Sequence, residues 1–326
     1  MKKIFINELQ TGQDLIEQIF LVKGLKKLKT SSNKEYWSLI LGDKTGDIDA
    51  KVWEDNLDTC EKVKEGDAVL VSGSINEFKG KKQLIIESMQ VTEDYEISDF
   101  LQKTEKDIDK MFEIIEKSIS ALKNKHLKSL LNKFYKDEQF IEKFKYAPGA
   151  KVIHHAYIGG LLEHVSEMIG YADVVIKDYP IINKDLLITG VLLHDIGKMD
   201  ELETNSRIFK TLKGKFVGHI PIGAIKASKQ MDKIKNFPED LKDKVLHLIL
   251  SHHGKLEFGS PIKPQLIEAV VLNYLDELSS KTNIAAKTYE LGAESPDLFS
   301  DRQFALEGTQ IYLGKHDDKD NQGQLI

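Results

Sequence analysis

The stretch Leu192-Leu193-His194-Asp195-Ile196-Gly197-Lys198 decides how the rest of the chain is read. Leu187, Ile188, Val191 and Leu192 recur at helical spacing, and a histidine and an aspartate follow side by side, three and four residues after Val191. Gly197 is expected to end this helix, with Lys198 just beyond. Neutral imidazole and carboxylate are the usual ligands of borderline and hard divalent ions, so one helix end can present both to one ion. Alone, a His-Asp dipeptide is a weak signal. It gains weight from what lies on either side.

Upstream, Ile158, Leu161, Leu162, Val165, Met168, Ile169, Ala172 and Ile176 trace one face of a helix, and His164 borders that face. Downstream, Val245, Leu248 and Ile249 aim a helix end at His252 and His253 by the same three-and-four offset. His219 stands in a loop, Gly218-His219-Ile220-Pro221, just before a helix. In the last long helix Ile267, Val270, Val271, Tyr274, Leu275 and Leu278 read as the core stripe, with Asp276, four after Leu272, at its edge. Any one of these polar residues is more often a hydrogen-bonded core histidine or a capping aspartate. The set His164, His194, Asp195, His219, His252, His253 and Asp276 is different. Burying so many unpaired ionisable groups in one bundle is costly, and bound cations remove that cost. The set predicts a metal centre.

Residues 1–95 change period. Ile48, Ala50 and Val52 alternate, and strand-like runs occur at 19–25, 36–41, 47–53, 68–75 and 83–86, with a short helix at 56–63. Five strands with a helix between the third and fourth is the plan of an OB-type barrel. Such barrels bind single strands through a basic groove with aromatic platforms. Tyr36, Trp37, Trp53 and Phe78 are the available aromatics, flanked by Lys23, Lys26, Lys27 and Lys29 and by Lys79, Lys81 and Lys82. We read Trp37, Phe78, Lys79 and Lys81 as nucleic-acid contacts. The competing reading puts the tryptophans in the barrel core and the lysines in solvated turns. Residues 96–150 return to helical period, with helices at 108–122, 125–135 and 137–144 and an N-cap pair at Thr104 and Asp107, as a connector packing on the core. Residues 151–290 carry the chemistry; 291–326 carry no motif. The expected fold is multidomain α+β: a five-stranded barrel followed by an all-α bundle.

Composition narrows the classes. The 326 residues are 41% hydrophobic and 30% charged with net charge −6, which argues against a uniformly basic surface but leaves local patches. Cys60 is the only cysteine, so a reducing cytoplasm is the default expectation. No apolar run approaches the ~20 residues of a membrane span. No phosphate-cradling Gly-x-x-x-x-Gly-Lys-[Ser/Thr] and no serine or cysteine nucleophile motif competes with the metal reading.

The order His…His-Asp…His…His-His…Asp resembles that of HD-domain metal-dependent phosphohydrolases. Leu41-Gly42-Asp43-Lys44-Thr45-Gly46 and Val63-Lys64-Glu65-Gly66-Asp67-Ala68-Val69 resemble nucleic-acid-binding OB-folds related to tRNA anticodon-binding domains. Together with His154-His155-Ala156-Tyr157-Ile158-Gly159-Gly160-Leu161-Leu162-Glu163-His164 and Ser251-His252-His253-Gly254, they resemble the YhaM family of 3′→5′ exoribonucleases over about residues 20–280. The resemblance implies hydrolysis of single-stranded RNA, with DNA as an alternative substrate, from the 3′ end, and favours Mn²⁺ or Co²⁺. The ligand mix also admits Fe²⁺ or Zn²⁺ and suits all of these better than Mg²⁺.

Two ions ~3.5–4 Å apart activate a shared water and neutralise the attacked phosphate. Asp195 is read as their bridge, with His164, His194 and Asp276 mainly on one ion and His219, His252 and His253 mainly on the other. Lys198, four after His194, is a candidate cation for a phosphate oxygen. His155 and Tyr157 are candidates to contact the terminal nucleotide or protonate the leaving oxygen. Arg207 is a candidate phosphate contact, weighed against a surface salt bridge. Two other functions stay open: a nucleotidase or cyclic-nucleotide phosphodiesterase acting on small phosphates, and a non-catalytic nucleic-acid-binding adaptor. A homo-oligomer is equally open, and no membrane partner is expected.

Overall fold

The computed structural model describes residues 2–151, 153–204, 207–293, 295 and 297–314. These form two compact units, Met1–Lys103 with Thr204–Phe209, and Thr104–Glu203 with Lys210–Ile326. Residues 315–326, the end of the motif-free tail, lie outside the described residues.

In the first unit, strands β1 (Asp14–Lys29), β2 (Glu35–Asp43), β3 (Gly46–Val52), β4 (Ala68–Phe78) and β5 (Lys81–Val91) close a barrel in the order β1-β2-β3-β5-β4. Closure needs one strand to serve two neighbours. The 16-residue β1 does so: its first part pairs with β4 and its second with β2, and register shifts at Leu15/Gln18 and Val22/Gly24 bend it between them. The parallel contact is β3 with β5. Period-two alternation works as expected. Ile48, Ala50 and Val52 point inward to Phe20, Val22, Leu39, Leu41, Ile75 and Leu84. A 3-10 helix at Glu54–Cys60 joins β3 to β4.

The second unit holds helices α1 (Ile108–Ser120), α2 (Lys125–Tyr135), α3 (Glu138–Tyr146), α4 (Gly160–Asp178), α5 (Lys184–Leu193), α6 (Lys198–Glu201), α7 (Leu212–Phe216), α8 (His219–Met231), α9 (Glu239–Ser251) and α10 (Ile267–Leu291). A two-stranded sheet pairs β6 (Leu202–Thr204) with β7 (Ile208–Lys210). Met111, Leu130, Leu161, Leu192, Leu248 and Leu272 belong to one apolar cluster, so α1–α3 build the same core as the later helices.

Three local expectations are corrected. Asp107 alone caps α1, accepting from the backbone of Asp109 and Lys110; Thr104 Oγ1 instead donates to Glu163 at 2.5 Å. On α10 the stripe read as core is mostly exposed, Tyr274 by 66% and Leu278 by 49%. The buried face carries Glu268, Ala269, Leu272, Leu275, Asp276 and Ser279. This helix has two usable stripes, and the one with the small residues meets α4, α5 and α9. Gly197 does not end a helix in left-handed geometry. It precedes α6 with φ −69°, and a Cβ there would lie 2.0 Å from the carbonyl oxygen of His219. Its missing side chain lets the start of α8 approach the His194-Asp195 turn.

Candidate metal centre

Five helix ends or faces converge on one buried spot. His164 comes from the first half of α4. His194 and Asp195 follow α5. His219 is the first residue of α8, not a loop residue before it, and His252 and His253 follow α9. Asp276 comes from the buried face of α10. His164, His194 and His252 are fully buried, and Asp195 is 2% exposed.

The imidazoles all turn the same way. His194 Nδ1 meets the carbonyl of Val191 at 2.9 Å, His252 Nδ1 that of Ile249 at 2.7 Å, and His253 Nδ1 that of Phe258 at 2.7 Å. A carbonyl only accepts, so these Nδ1 atoms carry the ring hydrogen and Nε2 is bare. His219 Nδ1 faces Glu201 Oε2 at 2.9 Å, and His164 Nδ1 faces Ser279 Oγ at 2.9 Å.

The donors sort into two groups, His164 with His194 and Asp276, and His219 with His252 and His253, each set of atoms lying within 4.8 Å. Asp195 stands between them. Its Oδ2 lies 3.2 Å from His194 Nε2 and 3.9 Å from His164 Nε2; its Oδ1 lies 3.5 Å from His219 Nε2 and 3.6 Å from His252 Nε2.

Charge follows the geometry. Burial pushes His164, His252 and His253 below the ordinary imidazole value, favouring the neutral form a metal requires. Burial also lowers His194, but the adjacent Asp195 outweighs it and raises the group overall. For Asp195 burial alone would raise the carboxyl; the charges of Lys198 and His194 hold it well below the usual range. Both Asp195 oxygens, His219 Nε2 and His252 Nε2 are buried without a well-directed hydrogen bond. Buried polar atoms are normally paired. Lone pairs converging unpaired on one point fit divalent cations.

The other expected site residues lie as follows. Lys198 is buried, with Nζ 2.5 Å from Asp195 Oδ2, so it is an ion-pair partner within the centre and not a mobile cation at its edge. His155 is fully buried, its ring 5.2 Å from that of His164 and its Nε2 3.4 Å from Glu167 Oε2; this places it behind His164 and not at an open face. Tyr157 is 5% exposed and its hydroxyl accepts from Asn283 Nδ2 at 3.1 Å, so its polar tip is engaged inside the fold. Arg207 belongs to the first unit, with Nη1 4.0 Å from Glu65 Oε2.

On the barrel, Trp37 is half-buried against the apolar core, whereas Trp53 is 42% exposed with its ring 5.2 Å from that of Tyr36. Phe78 is 61% exposed under Lys79, whose Nζ lies 5.5 Å from the ring centroid. With Asp49, Lys81, Lys82 and Gln83 these two line a groove of about 280 Å³. Lys23 pairs with Asp47, and Lys27 with Glu35 at 2.7 Å, so part of the other lysine cluster is neutralised.

Sequence reasoning missed Glu201, Ser279, Glu167 and His154. His154 packs its ring 5.8 Å from His164 and buries Nδ1 without a partner. A usable signal existed for two of them: Glu167 and Ser279 each lie three residues, one helical turn, beyond the candidate ligands His164 and Asp276.

An HD domain matches residues 161–281, and an OB-fold nucleic acid binding domain matches 20–92. The 3′-5′ exoribonuclease YhaM of a Geobacillus species is 35% identical over 300 residues, covering 91% of each chain. That of Oceanobacillus iheyensis is 34% identical over 306 residues, covering 93% of this chain and 94% of its own. Among solved structures, the second OB-fold domain of replication protein A from Methanococcus maripaludis is 23% identical, with 29% of this chain and 99% of that one covered and a TM-score of 0.24.

Proposed function

The chain belongs to the YhaM family of 3′-5′ exoribonucleases, and from that footing we propose that it is a metal-dependent hydrolase removing nucleotides from the 3′ end of single-stranded RNA. One observation carries the metal part: the two oxygens of Asp195 face two separate groups of bare imidazole nitrogens. We assign His164, His194 and Asp276 to one divalent ion, His219, His252 and His253 to a second, and Asp195 to both. Ions held there supply Lewis acidity toward a phosphate oxygen and acidify water at neutral pH. The imidazole and carboxylate mix admits Mn²⁺, Co²⁺, Fe²⁺ or Zn²⁺, and it is the family that favours Mn²⁺ or Co²⁺.

The protein's own groups do the rest. The outward Nδ1 contacts keep each ring from rotating, so the inward nitrogens are preorganised. Lys198 adds a fixed positive charge beside Asp195, where phosphate charge would arrive. On the barrel, Phe78 and the Tyr36–Trp53 pair offer faces for bases, while Lys79 and Lys81 offer charge to the backbone.

The test sets end-labelled RNA with a free 3′ end against the same RNA blocked at that end, single-stranded DNA, cAMP and dGTP, in Mn²⁺, Co²⁺ or Mg²⁺, alongside elemental analysis. The reading expects two ions per chain, a ladder shortening from the free 3′ end, and little turnover of the small phosphates. Turnover of cAMP or dGTP with RNA spared would replace it with the nucleotidase or phosphodiesterase reading. Bound metal without any hydrolysis would leave the adaptor.

A further inference from the structure

Behind His164 lies a second layer of polar side chains. His155, Glu163 and Glu167 bring donor atoms within 4.8 Å of one another, and neither ring nitrogen of the buried His155 has a well-directed hydrogen bond. By donor type this is a third group able to hold an ion. Its carboxylates are already engaged. Lys106 Nζ lies 2.7 Å from Glu167 Oε1 and 3.1 Å from Glu163 Oε1, and Thr104 Oγ1 donates to Glu163 Oε2. The other Glu167 oxygen, Oε2, accepts from Ser279 Oγ at 2.7 Å. Burial would raise the Glu167 carboxyl, but the nearby His155 and the hydrogen bonds from Lys106 and Ser279 outweigh it and hold the group at about 2.

The hydrogens along this chain of contacts follow from valence. A carboxylate only accepts, so the one hydroxyl hydrogen of Ser279 goes to Glu167. Ser279 Oγ therefore meets His164 Nδ1 only as an acceptor, and Nδ1 must carry the ring hydrogen. Nε2 is then bare, 3.3 Å from Asp276 Oδ1 and 3.3 Å from His194 Nε2. The other centre histidines have a carbonyl or a carboxylate to impose this tautomer. His164 has a hydroxyl, which on its own would accept or donate equally well.

We infer that Glu167, acting through Ser279, is the positioning residue that fixes His164 with a bare Nε2, and that Lys106 balances the Glu167 charge in place of a third ion. The inference rests on His164 being an ion ligand, as proposed above.

Lys106 makes the inference sharp. In Glu167→Gln the side chain keeps its shape, but the ammonium claims the amide oxygen and turns the NH₂ toward Ser279. The hydroxyl hydrogen is then driven onto His164 Nδ1, and the ring hydrogen moves to Nε2, facing the ion position. Adding Lys106→Met frees the amide to rotate and restores the original order.

The experiment uses full-length, ¹⁵N-histidine-labelled protein. NMR of the metal-free form reads the His164 tautomer, and Co²⁺ titration followed by visible absorption reads affinity. Wild type should show Nδ1–H. E167Q should show Nε2–H with about 10–100-fold weaker cobalt binding at one site. K106M/E167Q should recover both. Ser279→Ala should weaken cobalt to a similar degree, and adding Lys106→Met should not rescue it. Nδ1–H with wild-type cobalt affinity in E167Q overturns the inference. So does a third cobalt equivalent in the wild type, which would mark an ion site that Lys106 does not replace. A wild type that binds no cobalt refutes the metal reading instead, and the tautomers then decide this inference alone.

Discussion

Asp43 in the barrel and Asp195 in the helical unit are both 2% exposed, and their surroundings are opposite in kind. Both oxygens of Asp43 are satisfied. Oδ2 accepts from the Ile6 backbone at 2.8 Å and lies 3.2 Å from the buried Lys2 ammonium; Oδ1 accepts from the Thr45 backbone and hydroxyl at 2.8 and 2.6 Å. Neither oxygen of Asp195 has a well-directed hydrogen bond, although histidine Nε2 atoms and Lys198 crowd it. A buried charge with its partners in place is a fastener. One surrounded by inward lone pairs is a demand for cations. The contrast extends to the units. Lys2, Gln18 and Asp43 are the buried polar side chains of the barrel unit among the described residues, whereas the helical unit buries His164, His194, Asp195, Lys198, Glu201, His252, Asp276 and Ser279 together. The barrel interior holds a shape, and the helical interior gathers a candidate metal centre.

The largest expected effect would break this contrast outright if it failed. Asp195→Asn should lower RNA turnover on the order of a thousand-fold and strip bound metal, while circular dichroism stays native. Because the neutral amide leaves the buried Lys198 ammonium without its ion-pair partner, the variant should unfold at a somewhat lower temperature than the metal-free wild type. Near-wild-type hydrolysis in Asp195→Asn would remove the distinction between the two aspartates.

Acid should then separate the units. Glu167 and Glu201 are held at about 2 in the folded chain against an ordinary 4.5; burial opposes this, and the hydrogen bonds they accept prevail. Between those values the unfolded chain binds more protons than the folded one. The stability they contribute is therefore complete above pH 4.5 and is lost as pH falls toward 2. Denaturant titrations across that window should show the helical transition weakening, with a shallower pH slope in Glu167→Gln and Glu201→Gln. An unchanged slope in both variants would assign the acid sensitivity elsewhere.

The matching test on the barrel reads stability alone. Asp43→Ala strands the Lys2 ammonium and should cost about 3 kcal/mol, the loss that follows from removing one member of a buried pair. Turnover of a dinucleotide at a temperature where the variant is folded should be unchanged; a loss of turnover equal to that of Asp195→Asn would mean the barrel aspartate also serves the chemistry. Smallest is Phe78→Ala, which should raise KM for long single strands by the roughly 1–2 kcal/mol of one stacked base and leave the dinucleotide unaffected. Equal losses on both substrates would end the groove assignment.

Much of this was legible beforehand, for local reasons. Alternation at Ile48, Ala50 and Val52 marked the barrel. Polar side chains placed three or four residues past an apolar helix position marked His194, Asp195, His252 and His253 as candidate ligands, because the helical repeat ties such offsets to one face. Where two faces were equally plausible, local reasoning chose wrongly: on α10 it favoured Tyr274 and Leu278 over Ala269 and Ser279. His155 and Tyr157, adjacent in the chain to the ligand helix, turned inward and became supports.

Backbone periodicity alone settled which side chains share a strand or helix face, since that repeat is written within a few residues. It did not settle which face meets the core, why Gly197 must lack a side chain, or that Lys106, Glu167, Ser279 and His164 fall in one line. Those relations join residues up to 173 positions apart in number, from Lys106 to Ser279. They exist only after helices distant in the chain have packed, because hydrogen bonds and ion pairs act over a few ångströms of space, whatever the distance along the chain.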